Sequence, residues 1–313
     1  MSKFLFSIIT PCYRGTNTLK RTFDSLQLQC NNDISFEWIL IDDYSNDNNQ
    51  TISLIKELCE IATFPTKTVF LEKNYYGSQS TFTGANIAEG LYIIILDQDD
   101  MLVKNGLQVF KNLIDKYEYD ENIVGVCGRC IDMNDQLIGT SMKFEEKISN
   151  ELEIRHIYKI HGEMFQCTKR EVILEYFSDF LPGYTNGYAW MRIARKFQYV
   201  YTNKIVRRYD TINPLSYTNS KEIKYINALI DMLRYSLVNN YDYLKYDKYQ
   251  LFRKIMQYGR FSFHNGVSVK KVISTLLVEQ RYLVIAIMPF SLLRYWIDLM
   301  LNPKFRALKK VIR

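Results

Sequence analysis

Two acidic clusters each stand directly after an apolar run. Leu91–Leu96 is followed by Asp97-Gln98-Asp99-Asp100, and Phe36–Ile41 by Asp42-Asp43. Dense carboxylates suit Mg²⁺ or Mn²⁺, which favour hard carboxylate and phosphate oxygens and usually take only one or two protein carboxylates. Asp97 and Asp99 are therefore the expected ligands of a cation that bridges a diphosphate. Asp42 is placed to accept a hydrogen bond from a base or ribose, and Tyr13, after Pro11, offers a ring for the base to stack on. Asp also favours caps and turns, which would explain one such pair. Two pairs on one sheet edge point to a site.

The elements that must hold these groups are legible as an alternation. Phe4–Thr10 reads as a strand closed by Pro11. Thr16 or Asn17 then caps a helix whose Leu19, Phe23 and Leu26 share a face. Phe36–Ile41 is a second strand, and Ser45 to Asp47 supply cap chemistry for a helix through Ile52, Ile55 and Leu58. Thr68–Leu71 is a third, short strand, and a small-residue helix around Gly84–Ala88 leads into Leu91–Leu96. Nearly unbroken apolar runs belong to strands buried on both faces of a parallel sheet. The expected fold class is doubly wound α/β, in which ligands bind beyond the carboxyl ends of the strands. From about Tyr217 the strand signals stop, and 220–258 and 268–300 read as helical.

Composition narrows the function. The chain has 313 residues with 40 Lys+Arg and 34 Asp+Glu. From Arg294 onward six basic residues face one acid, Asp298, and the rest is near neutral. The basic character is a tail rather than a nucleic-acid surface. Six scattered cysteines make no disulfide framework, which favours a reducing compartment. Cys127-Gly-Arg-Cys130 lacks the second pair a zinc ribbon needs and falls in an apparent strand, Ile123–Ile131. His156, His161 and His264 are too dispersed for a metal site. The short apolar run Phe4–Ile9 does not make a secretory signal. Tyr282–Leu293, interrupted by Pro289 and ended by Arg294, falls short of the ~20 apolar residues of a spanning helix. It is expected to lie on a membrane rather than cross it. No GxxxxGK[ST] and no GxGxxG after a strand is present, which weakens kinase, NTPase and dinucleotide-oxidoreductase readings.

Four segments in series resemble the family 2 glycosyltransferases, inverting enzymes of the GT-A fold. They are Ser7-Ile-Ile-Thr-Pro-Cys-Tyr13, Ser25-Leu-Gln-Leu-Gln29, Ile41-Asp-Asp-Tyr-Ser45 and Ala88-Glu-Gly-Leu-Tyr-Ile-Ile-Ile-Leu-Asp-Gln-Asp-Asp100. The resemblance is collinear over 4–100 and weaker to about 217. It implies that Thr10, Pro11, Tyr13 and Asp42 hold the nucleoside, and that Asp97 and Asp99 hold the ribose, diphosphate and metal. The implied cofactor is Mn²⁺ or Mg²⁺, a Lewis acid for the departing diphosphate.

The chain departs from the family at two places. Between Asn74 and Gly84, where relatives often carry a basic residue and an Asn at the donor, there is no charge; Lys73 or Arg14 are the candidates to compensate. The helix start that carries a catalytic Glu in many relatives reads Asn186-Gly-Tyr-Ala-Trp-Met-Arg-Ile-Ala194. Asn takes no proton at neutral pH, so Glu163 and then Asp179 become the candidate bases. Arg207-Arg208-Tyr209 resembles the family's closing R-x-Y segment, and Trp190, Ile193 and Phe197 read as core.

These expectations add up to a GT-A (Rossmann-like) domain over 1–217 and a helical, membrane-associating extension over 218–313. The resemblance implies transfer of a sugar, with inversion, from a nucleotide-diphosphate sugar (UDP first) onto a growing, lipid-linked bacterial surface glycan. The expected place is the cytoplasm, on the anionic inner face of the cell membrane, with no nucleic-acid partner. The rival reading is a degenerate glycosyltransferase serving as a binding or scaffold subunit. A nucleotidyltransferase lacks its Gly-rich basic loop here.

Overall fold

The computed structural model describes residues 2–30, 34–75, 78–178, 186–213 and 226–301. They fall into two compact units. One holds residues up to 151 and from 160 to 213; the other holds 152–159 and the helices from 226 onward. The boundary read from sequence, 217/218, lies outside the described residues, and the 152–159 turn was not foreseen as part of the helical unit.

The first unit is built on β1 (Phe4–Cys12), α1 (Leu19–Gln27), β2 (Phe36–Asp42), α2 (Gln50–Ile61), β3 (Thr66–Phe70), α3 (Ser78–Ile87), β4 (Gly90–Ile95), β5 (Met101–Leu102), α4 (Gly106–Lys116), β6 (Ile123–Ile131), β7 (Glu146–Ser149), β8 (Met164–Lys169), α5 (Arg170–Phe177), α6 (Asn186–Lys196) and β9 (Gln198–Arg208). Nine strands make one sheet in the order β3-β2-β1-β4-β8-β6-β9-β5, with β7 beside β9. β1 pairs in parallel with β2 and β4, and β2 with β3. β8 runs antiparallel to both β4 and β6.

Every residue of β2 and β6 is buried, as expected for strands covered on both faces. Cys127 and Cys130 are thus buried in a strand and form no disulfide. Leu19, Phe23 and Leu26 of α1 are all buried and join Trp38, Ile55 and Leu58 in the core. Trp38 is fully buried and its indole N–H donates to Thr10 Oγ1 at 2.9 Å; truncating such a side chain to Ala costs ~3–5 kcal/mol. The start of α1 differs from expectation. Thr18 precedes the helix without a side-chain cap, and the Leu19 amide donates instead to the Gly15 carbonyl. Asp47, three residues before α2, does supply cap chemistry, accepting from the Thr51 amide at 3.1 Å and the Thr51 hydroxyl at 2.6 Å.

The second unit contains a short π-helical turn (Glu153–Ile157), α7 (Ile226–Asn239), α8 (Tyr241–Leu244), α9 (Lys248–His264), α10 (Val269–Ser274) and α11 (Arg281–Leu301). Its core joins Leu237, Leu251, Ile255, Val272, Val284 and Ile287. A Cβ on Gly259 would sit 2.7 Å from Ser291 Oγ, so α9 and α11 approach as closely as they do because position 259 has no side chain. One expectation is corrected here. The apolar stretch expected to stop short at Tyr282–Leu293 is longer: α11 runs through Pro289 and past Arg294 for 21 residues, and Val278–Leu301 is long and apolar enough to cross a membrane by length and composition. Pro289 is exposed, so its ring and missing amide disturb the outer side of the helix and spare the packed one.

Candidate functional site

The sheet changes direction at β1, with β2 on one side and β4 on the other. Cys12 is level with Asp42, and Ile9 with Ile95, so Tyr13, Asp43 and Asp97 leave the sheet along one edge. That reversal point is where open α/β sheets bind ligands.

One helix carries the acidic turn. Thr22 Oγ1 donates to the carbonyls of Gln98 at 2.9 Å and Asp100 at 2.8 Å, and Arg21 Nη2 donates to the Asp99 carbonyl at 2.7 Å. Ser25 Oγ accepts from the Leu102 amide at 3.1 Å. Gln29 donates to the Val103 carbonyl at 2.9 Å and accepts from the Leu107 amide at 3.2 Å. The Ser25…Gln29 motif is thus a clamp on the turn. Ser25 lies in the last turn of α1 and Gln29 in the turn just after it, where its side chain also donates to the Ser25 carbonyl at 3.0 Å.

Asp97 is exposed. Its pKa is pushed up to about 6, first by the protein mass around it and then by the charge of Asp99, with Arg207 opposing. Because the side chain itself meets solvent, water moderates that push. Asp99 is 7 % exposed, and its Oδ2 accepts from Asn213 Nδ2 at 2.6 Å. Asp100 is fully buried and faces Arg207 Nη1 at 3.1 Å while accepting from the Asp210 amide at 2.9 Å. Burial pushes its carboxyl up against the pull of Arg207. Asp100 is therefore structural, and Asp97 is the carboxylate open to a ligand. Among the described residues no three His, Cys, Asp or Glu side chains converge as a closed cation site. The donor set fits a cation held by one or two carboxylates and completed by a diphosphate.

The nucleoside side departs from expectation at two residues. Thr10 is fully buried and its hydroxyl is engaged by Trp38, so its side chain belongs to the core and not to a ligand. Asp42 is 2 % exposed and accepts from the amide and hydroxyl of Ser45. Its effect is indirect: Ser45 Oγ accepts from the Arg14 amide at 2.9 Å, which fixes Arg14 in a left-handed conformation at φ 51°. Pro11 is partly exposed and Tyr13 is exposed, as a stacking platform requires. The Arg14 guanidinium lies 5.3 Å from the Tyr13 ring centre. The exposed Lys73 ammonium stands over Tyr75 at 4.9 Å.

Glu163 is brought to the acidic turn. Its Oε1 accepts from Arg207 Nη2 at 2.7 Å, and its side chain stays 42 % exposed. Arg207 lies over the rings of Phe165 at 4.5 Å and Tyr209 at 4.8 Å, so the closing Arg207-Arg208-Tyr209 segment forms one wall of this cluster. Asn186 is the first residue of α6, and its Oδ1 is buried without a hydrogen-bond partner. Asp179 lies outside the described residues. Of the three residues read as core, Ile193 is buried, while Trp190, edge-on to Phe177 at 5.3 Å, and Phe197 are partly exposed.

Three residues were missed from sequence. Arg21 bonds Asp210, Asp210 accepts from the amides of Ile212 at 2.9 Å and Asn213 at 3.0 Å, and Asn213 reaches Asp99. No local pattern marks them, since each joins the turn across at least 78 residues of chain.

The description "Glycosyl transferase family 2" matches residues 7–171, and the chain belongs to that family. It is similar to the poly(ribitol-phosphate) beta-N-acetylglucosaminyltransferase TarP of Staphylococcus aureus (strain N315), 33% identical over 107 residues, 34% of this chain and 32% of TarP. It is also similar to the uncharacterized glycosyltransferase MG060 of Mycoplasma genitalium, 28% identical over 149 residues, 47% of this chain and 49% of that one. The chain thus spans only a third to a half of these curated relatives. Among solved structures, S. aureus TarS 1–349 in complex with UDP-GlcNAc superposes with a TM-score of 0.64 at 16% identity. That match covers 93% of this chain and 89% of the TarS one. At that identity the likeness establishes the GT-A α/β fold, with a C-terminal helical region, and nothing finer.

Proposed function

We propose that this protein is a glycosyltransferase that moves a sugar, with inversion, from a nucleotide-diphosphate sugar onto a growing, lipid-linked surface glycan at the inner face of the cell membrane. The observation that carries the reading is the joint placement of the Tyr13 ring and the exposed Asp97 carboxylate at the reversal point of a family 2 sheet. UDP-GlcNAc is the first donor to test, because TarS binds it and TarP is named for transferring N-acetylglucosamine.

In this reading Tyr13 stacks the base, with Asp42 and Ser45 holding the loop that carries it. Asp97 and Asp99 would hold a Mn²⁺ or Mg²⁺ ion, which when bound would supply Lewis-acid offset of charge developing on the leaving group. Arg207 holds the Asp100 and Glu163 carboxylates in one cluster, and Glu163 is the candidate base for the acceptor hydroxyl.

The test is incubation with UDP-sugars, with and without Mn²⁺, while UDP release and UDP affinity are both measured. Cation-dependent UDP release is the expected result. Tight UDP binding without turnover for any donor would favour the non-catalytic binding subunit, a reading motivated by Asn186 and the uncharged 75–83 segment. Absence of UDP binding would overturn the donor assignment.

A further inference from the structure

Helix α11 has two unlike sides. Val284, Ile287, Met288, Ser291 and Asp298 are buried. On the other side Tyr282, Ile285, Phe290, Leu293, Trp296 and Met300 are between 52% and 86% exposed. At about 100° per residue these six fall within one half of the circumference, centred near Leu293. Arg281 and Arg294, both exposed, fall at its two borders. Soluble surfaces rarely leave so continuous an apolar strip uncovered, and such a strip marks a partner.

Length and composition would let this helix span a bilayer, but its buried side opposes that. Asp298 accepts from Arg260 through Nε and through Nη2 at 2.8 Å, and lies 3.1 Å from His264 Nε2. The three side chains are 16% exposed or less. Insertion would either carry the charged α9 into hydrocarbon or strand Asp298 there without its partners, and isolated charges are costly at membrane depth. The contact of Gly259 with Ser291 further ties α11 to α9.

We propose that the outer face of α11 lies in the interfacial plane of an anionic lipid bilayer, with α9 behind it, and does not cross. Charge complementarity selects this occupant. The strip is bordered by Arg281 and Arg294, and Lys304, Arg306, Lys309, Lys310 and Arg313 follow in the sequence without an acid. A second copy meeting the strip by twofold symmetry would bring like-charged borders together. Tyr282 and Trp296 have the amphipathic rings that settle at lipid–water boundaries. The inference sharpens the membrane part of the functional reading, and its test uses no donor sugar, so either can fail alone.

The experiment is co-sedimentation of the full chain with vesicles of equal parts phosphatidylglycerol and phosphatidylcholine, and with phosphatidylcholine alone, at low and high salt. Binding is expected to the anionic vesicles only, weakening with salt. Leu293→Glu should reduce it at least about tenfold, and Tyr119→Glu, at an exposed site in the other unit, should leave it unchanged. As a check independent of variants, brominated lipids should quench parent fluorescence at shallow depth, with that quenching lost in Trp296→Phe. Four results would overturn the proposal: equal binding by Leu293→Glu; equal binding to neutral vesicles; resistance to alkaline extraction, which signals a spanning helix; or self-association relieved by Leu293→Glu without vesicle binding.

Discussion

Gln98 and Tyr13 hold each other by two hydrogen bonds: the Tyr13 amide donates to Gln98 Oε1 at 2.9 Å, and Gln98 Nε2 donates to the Tyr13 carbonyl at 2.8 Å. This clasp joins the loop after β1 to the acidic turn after β4. It leaves no room for a side chain at Gly15, where a Cβ would lie 2.4 Å from Gln98 Oε1. The residue between two candidate cation ligands is therefore tied to the candidate base platform.

The first expected outcome follows from that tie. Net hydrogen bonds contribute about 0.5–1.5 kcal/mol each, so Gln98→Ala should weaken UDP binding by about tenfold. In a Tyr13→Ala background, which keeps the backbone but removes the ring, the same change should cost little more. Calorimetric titration of the four proteins checks this. An equal loss in both backgrounds would mean that Gln98 acts on the nucleotide directly.

The cation edge gives a second outcome. A carboxylate whose pKa is raised in the folded state contributes stability at low pH that is lost as pH rises from the ordinary ~3.9 to its folded value, about 6 for Asp97. Asp99→Asn removes the second cause of that shift, so the variant without ligand should match or exceed the parent in Tm at pH 7. It should also lose the further stabilisation that Mn²⁺ adds to UDP. Thermal shift measures both, and an unchanged response to Mn²⁺ plus UDP would remove Asp99 from the cation site.

Asp210 supplies a third, with the opposite sign. Burial alone would raise its pKa, but Arg21 and the amides of Ile212 and Asn213 outweigh that and hold it below the usual carboxylate range. Its stabilising effect should be complete above the ordinary carboxylate pKa and fade as pH falls through the folded one. Asp210→Asn should lower Tm at pH 7 by about 2–4 °C, and the gap should close on acidification. Scanning calorimetry that shows a pH-independent gap would exclude the ion pair with Arg21 as the cause.

How much of this was legible beforehand depended on the range of the forces involved. Strands such as Ile123–Ile131 were readable because burial on both faces favours apolar residues along nearly the whole run, Arg129 being its one charge, and α1 because Leu19, Phe23 and Leu26 keep helical spacing. The acidic turn was readable because it is contiguous. The sequence could not distinguish Asp97, open to solvent, from Asp100, locked to Arg207, since Arg207 arrives on β9 from a distant part of the chain. The roles given to Thr10 and Asp42 fell on side chains that Trp38 and Ser45 already engage. The apolar stretch was closed at Arg294, but that residue lies on the exposed side of α11 and the helix continues to Leu301.

The last outcome concerns the proton that an acceptor hydroxyl must lose. A positioned base is typically worth ~10²–10⁴-fold. Asn186, at the start of α6, has a buried Oδ1 without a partner, a place where a carboxylate would meet no existing bond. Glu163 is half-exposed and fixed by Arg207 at 2.7 Å. If Glu163 is the base, Glu163→Gln should lower turnover by about a hundredfold or more with UDP affinity unchanged, because the carboxylate serves the acceptor and not the nucleotide. Asn186→Glu should then leave turnover flat or lower. If no base operates, Glu163→Gln should change little and Asn186→Glu should raise turnover. Donor consumption under single-turnover conditions distinguishes the two, since it reports the chemical step apart from product release. Parent-like behaviour of both variants would remove the start of α6 and Glu163 together from the acceptor side of the site.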